Sequence, residues 1–232
     1  MLKKGKVWFL LLFLLFGTYE PPTAVDGIAY SQTSLYEQLP LQSSELISQL
    51  VILPNETYNE KAVESIVNRL DRLPPQLLER INHEQIKLKL FVGTLTEQKS
   101  ASHLVNVQPR GYEHTALTWD DVPGIGGSKI VLVKIGHSDQ GMGHGSVNLE
   151  LHELAHSIQR YVYNDISIQG EFLSIWKEEV RRIFPKQPYF INFPEEYFAE
   201  TFAMFYYNEE TKAVLKEKAP KTFSFFKKFE NL

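Results

Sequence analysis

Between Tyr58 and Leu73, Ala62, Ile66, Leu70 and Leu73 recur at helical spacing, which predicts a helix that Pro74-Pro75 brings to an end. A short second helix is expected over 76–81. The run IKLKLFVG (86–93) alternates apolar residues with lysine and predicts a half-buried strand. SKIVLVKIG (128–136) is the strongest strand pattern in the chain. Between them, 94–127 is irregular, with a turn at DDVPGIGG, and HSDQGMGHG (137–145) reads as a Gly-rich loop. Beyond it the periodicity turns helical, over about 146–163, 170–183, 194–207 and 221–229, with breaks at Asn208 and Pro220. Residues 30–43 are polar and turn-rich, as in a loose arm. Strands before helices predict an α+β fold, a small mixed sheet against a helical C-terminal half, with a cleft between the halves.

The first residues depart from this pattern. Lys3, Lys4 and Lys6 precede an apolar run from Val7 to Phe16, followed by small and polar residues. Ten apolar residues are too few to span the roughly 30 Å of a bilayer core, so the segment reads as a secretory leader over 1–29. Gly27-Ile28-Ala29 or Ala24 offers small residues for cleavage. The 232 residues fit one domain, and a formal charge of −4 argues against a nucleic-acid partner. There is no cysteine, hence neither a disulfide nor a lipid attachment point, and the core or a metal must hold the fold. These features together predict a secreted bacterial protein.

Candidate chemistry sits in LELHELAHSIQRYV (149–162). Residues four apart share a helix face, so His152 and His156 can point imidazole nitrogens at one cation, while Glu153 is turned about 100° away and can reach a water. Leu151, Leu154, Ile158 and Val162 supply an apolar stripe that anchors such a helix. A catalytic zinc takes three protein ligands and leaves a fourth position open. Gln159 and Val162 occupy the positions of the short-spacer solution, so the third ligand must come from later in the chain. NFPEEYFAETFAMFYY (192–207) provides Glu195, Glu196 and Glu200 beside an apolar face of Phe198, Phe202 and Phe205. Glu196 and Glu200 share a face; one can bind the metal while the other holds a ligand histidine, and spacing leaves the order open. Burying two acids among phenylalanines without a cation would cost several kcal/mol.

HELAH, Tyr189, EYFAETF and APKTFSFF (219–226), with RGYEHTALTWDDVPGIGGSKI upstream, together resemble the metalloprotease domain of the anthrax lethal factor family, including the small secreted Pro-Pro endopeptidases of clostridia and paenibacilli. The resemblance covers about 85–232. It implies a gluzincin-like fold with His152, His156 and Glu196 as zinc ligands, Glu153 as general base, Tyr189 as hydrogen-bond donor to the oxyanion and Glu200 as the carboxylate behind a ligand histidine. A substrate peptide is expected antiparallel to an edge strand within 128–136. Arg110, Tyr112, Trp119 and Glu195 are candidate substrate contacts. Tyr112 stands where tryptophan is expected in the Pro-Pro enzymes, so the preference is either Pro-Pro or broader.

The organisation expected is therefore a leader (1–29), an N-terminal helical segment (30–84) and a metalloprotease core (85–232). One Zn2+ per chain, a peptide or protein substrate, a monomeric state and no membrane insertion after leader removal are expected. The competing reading is a catalytically silent peptide-binding module on the same fold. His137 and His144 read as solvent-exposed loop residues.

Overall fold

The computed structural model describes residues 25–110 and 116–230. Its order is β1 (Ile28–Ala29), α1 (Ser34–Gln38), α2 (Ser44–Leu50), β2 (Val51–Leu53), α3 (Glu60–Leu70), α4 (Pro75–His83), β3 (Lys87–Phe91), β4 (Gly124–Ile125) and β5 (Ile130–Lys134). Then follow α5 (Leu149–Ser157), α6 (Gly170–Ile183), α7 (Pro188–Asn192), α8 (Pro194–Tyr207), α9 (Glu209–Lys218) and α10 (Pro220–Phe229). The fold is mixed α+β, a small sheet followed by a helical C-terminal half.

The sheet has the order β1-β2-β3-β5-β4, parallel at its centre (β2/β3 and β3/β5) and antiparallel at both margins. β5 lies between β3 and β4, so the edge strand expected within 128–136 is instead β4, at 124–125. The reason is compositional: IVLV in β5 is continuously apolar, as in strands covered on both faces, whereas the edge is built from a glycine-rich segment. β3 is likewise interior, and Lys89 is buried with its Nζ 2.8 Å from Asp26 Oδ1.

Residues 30–43 are packed rather than a loose arm: Tyr30 and Leu35 are buried, and the Tyr30 hydroxyl donates to the Leu35 carbonyl (3.2 Å). Ile28 and Ala29 pair with Leu53 and Ile52, so a chain cut after Ala29 would lose β1 and the Asp26 partner of Lys89. The apolar leader run itself lies outside the described residues.

α8 is the hub of the helical half. Nearly every residue from Glu196 to Tyr206 is buried, because α5, α6, α9 and α10 all pack around it. Its Phe198 and Phe202 meet Phe172 of α6 and Phe226 of α10, with ring centroids 5.2–5.8 Å apart. α10 is pinned at its start by Glu179 of α6. That fully buried carboxylate accepts from the Lys221 and Thr222 amides (both 2.9 Å) and from the Thr222 hydroxyl (2.8 Å), which also meets Tyr197 Oη (2.7 Å). Each donor left unsatisfied in a buried site costs on the order of 1–3 kcal/mol. Glu179→Ala is therefore expected to lower the unfolding free energy by about 3 kcal/mol, read as an earlier midpoint in urea.

Candidate metal centre

α5 begins at Asn148, whose side chain accepts from the Leu151 amide (3.1 Å) and satisfies one of the open donors of the first turn. The helix passes into a π turn over Ile158–Val162. His152 and His156 stand one turn apart on the face that meets α8. There Glu196 Oε2 lies 3.3 Å from His152 Nε2 and 3.4 Å from His156 Nε2, and the two Nε2 atoms are 3.3 Å apart.

The tautomer is set from behind. His152 Nδ1 lies 3.1 Å from Glu200 Oε2, and Glu200 Oε1 accepts from the Val147 amide (3.0 Å). A carboxylate at Nδ1 holds a proton there and leaves Nε2 as the nitrogen that faces Glu196 and His156. Three potential ligand atoms then converge on one point, the hydrogen-bonding protons between them standing where a cation could take their place. Around tetrahedral zinc with bonds of ~2.0–2.1 Å, ligand atoms sit about 3.3–3.4 Å apart. The observed triangle has those edges, so the donor set fits.

The electrostatics agree. Burial works against a charge on His152, but the carboxylates of Glu196 and Glu200 outweigh it and push the imidazole up to about 10. Desolvation likewise opposes ionisation of Glu196, yet the hydrogen bonds from His152 and His156 hold it well below the usual carboxylate range. An ionised carboxylate and an imidazole site that favours positive charge are what a divalent ion would meet.

This centre opens onto a cleft of about 880 Å3, between β4 on one side and α7 and the start of α8 on the other. Glu153 lines it beside the glycines of the edge. A Cβ on Gly124 would lie 3.0 Å from Glu153 Cγ, and one on Gly126 would lie 1.9 Å from the Glu153 carbonyl oxygen. Only glycine lets the edge approach α5 this closely. Ser157 fixes the approach, accepting from the Gly127 amide (3.1 Å) and donating to the Ser128 carbonyl (2.7 Å).

Tyr189 lines the opposite wall from the first turn of α7, its ring 5.6 Å from that of Phe193. Burial first, and the neighbouring Glu196 second, raise its phenol far above the ordinary value, so it remains a donor throughout the working pH range. Arg110 closes the site from above. Its Nη1 and Nη2 bind Glu195 Oε1 (2.9 Å) and Glu196 Oε1 (3.0 Å), and the guanidinium lies 4.0 Å over the Phe193 ring. Trp119 also reaches the cleft while packing on the small core of Phe91, Leu95 and Leu132. Tyr112 lies outside the described residues.

Two features escaped the sequence reading. His144 is not a solvent-exposed loop residue: its ring bridges Ser146 Oγ and the His137 carbonyl (2.8 Å each), buttressing the loop wall of the cleft. Glu150, fully buried two residues before His152, pairs with Arg69 of α3, which stacks on Tyr207. No periodicity links positions 69 and 150, so only the fold reveals that contact.

The family described as anthrax toxin lethal factor, N- and C-terminal domain, matches residues 38–229. A Pro-Pro endopeptidase of Clostridioides difficile (strain 630) is 42% identical over 184 residues, 79% of this chain and 83% of that protein. A Pro-Pro endopeptidase of Paenibacillus alvei is 37% identical over 187 residues, 81% of this chain and 86% of that one. The solved structure of the Pro-Pro endopeptidase from Paenibacillus alvei superposes with a TM-score of 0.75 at 37% identity, covering 79% of this chain and 99% of its own.

Proposed function

The chain belongs to the anthrax toxin lethal factor family, and from that premise we propose that it is a secreted, zinc-dependent endopeptidase of gluzincin type, acting on extracellular or surface proteins at Pro-Pro bonds. The observation that carries the reading is the triangle of His152, His156 and Glu196 with edges of 3.3–3.4 Å, open to a cleft beside a sheet edge. These three side chains would hold the ion, and Glu200 would hold His152. When bound, zinc supplies Lewis acidity toward a peptide carbonyl and toward water.

The chain's own groups do the rest. β4, last in the sheet order, offers its outer edge to a peptide running antiparallel, which sets the scissile carbonyl between α5 and α7. Glu153 takes the proton of the attacking water and returns it to the leaving nitrogen. Tyr189 donates its phenolic proton in a hydrogen bond to the oxygen that gains charge. Arg110 spans Glu195 and Glu196, so it keeps the carboxylate of Glu196 oriented toward the histidines.

Export rests on the Lys-flanked apolar run near the start of the chain. Among the described residues no helix is long and apolar enough to cross a membrane. The domain division is that expected from the sequence except at its first boundary, where the leader is proposed to end before Asp26 and not at Ala29, so that β1 is retained. A peptide library analysed by mass spectrometry tests the substrate claim. Cleavage between adjacent prolines, lost when either becomes alanine, is the expected result; indifference to proline would contradict the Pro-Pro assignment. Glu200→Ala is expected to weaken zinc binding about 10- to 100-fold while the fold survives, measured by competition with a zinc chelator.

A further inference from the structure

We infer that Arg160 reads an acidic side chain on the N-terminal side of the cleaved bond, so that the preferred substrates carry Asp or Glu two to four residues before it. The inference rests on the peptidase reading above and names a specificity determinant for it. Its first support is direction. A peptide antiparallel to β4 runs opposite to the 124→127 direction. Glu153 meets the edge with its Cγ at Gly124 and with its backbone at Gly126, and the reacting bond is taken to lie beside that side chain. Residues preceding that bond therefore lie toward Gly127 and beyond.

Arg160 stands at that end. It is four residues past His156, in the π turn, and it lines the same cleft. Its Nη1 donates to the Gly127 carbonyl (3.0 Å), and its guanidinium lies 5.5 Å from the Tyr161 ring centroid. One bond to the segment just after β4 and one ring contact hold the fork in place, while most of its five N–H donors stay available.

The second support is the contrast between the two cleft arginines. Arg110 is charge-paired with both Glu195 and Glu196. Arg160 has no carboxylate within ion-pair distance among the described residues. Lys129, the other cation against Tyr161 (4.1 Å), is already engaged by Glu84 at 2.8 Å. Asp165 lines the same end of the cleft, and its backbone amide is tied to the Arg160 carbonyl (3.3 Å), but its side chain does not neutralise the guanidinium. An unpaired, oriented guanidinium at a peptide-binding edge matches a carboxylate bidentately.

The test is a cleavage profile of one randomised peptide library with wild type, Arg160→Gln and Arg160→Glu. Zinc content and circular dichroism are recorded to establish that each is folded and loaded. The wild type is expected to cleave peptides with Asp or Glu at the second to fourth positions before the bond about tenfold faster than those with Asn or Gln, in kcat/KM. Arg160→Gln should level this preference, and Arg160→Glu should turn it toward Lys and Arg. A wild type indifferent to charge on that side, or favouring lysine there through Asp165, overturns the inference and leaves the peptidase reading standing. So does an acidic preference that survives in a folded, zinc-loaded Arg160→Glu. If the wild type cleaves no peptide at all, the peptidase reading fails, and this inference falls with it.

Discussion

Glu153→Gln is expected to lower kcat by about 10²- to 10⁴-fold while one zinc per chain and the fold remain. The substitution is nearly isosteric, so the edge glycines that touch Glu153 keep their fit. The three side chains proposed to hold the metal are untouched, since Glu153 points about 100° away from His152 around the helix. What is lost is a group able to take a proton from water. Turnover measured on a cleaved peptide, with metal content measured on the same sample, separates this effect from loss of the ion. A variant with undiminished turnover would remove Glu153 from the role of base, and would revive the reading of the cleft as a binding site alone.

Tyr189→Phe should be the next most damaging change that keeps the metal. One well-placed hydrogen bond to a developing oxyanion contributes about 2.7–4 kcal/mol, so kcat is expected to fall about 10²- to 10³-fold. KM should move little, because the ground-state carbonyl benefits less from the same donor. The phenol is suited to donating: burial and Glu196 both oppose its ionisation, and its ring is seated against Phe193. A rise in KM with kcat unchanged would make Tyr189 a binding contact and not a partner of the reaction.

Much of the helical half was legible from periodicity. α6, α8 and α10 lie within a residue of the spans expected from apolar spacing and from the breaks at Asn208 and Pro220. α9 was not read, since its polar residues 209–218 carry little apolar periodicity. The sheet was harder for a physical reason. The clearest strand signal, IVLV, marks a strand enclosed by two neighbours, whereas the strand that faces the cleft is Gly-Ile followed by two glycines. Glycine has poor strand propensity and reads as a turn, yet here it is needed so that the backbone can touch α5 at Glu153. β1 and β2 span two and three residues, too short for any alternation to show.

For the centre itself, the four-residue spacings of His152/His156 and Glu196/Glu200 gave the faces, and family resemblance gave the order of the two glutamates. Glu196 Oε2 faces both Nε2 atoms, and Glu200 sits behind Nδ1 of His152. The Arg69–Glu150 pair and the His144 buttress depend on contacts between distant segments that leave no mark in local sequence.

Metal content set beside peptidase activity tests the central claim most directly. Dialysed wild type should contain one zinc per chain by atomic emission, lose activity with the ion on exhaustive chelation, and regain both on adding one equivalent. His156→Ala and Glu196→Ala should bind none at the same free zinc concentration while remaining folded. Full activity in metal-stripped protein, or an unchanged zinc content in either variant, would show that these three side chains do not converge on a catalytic ion.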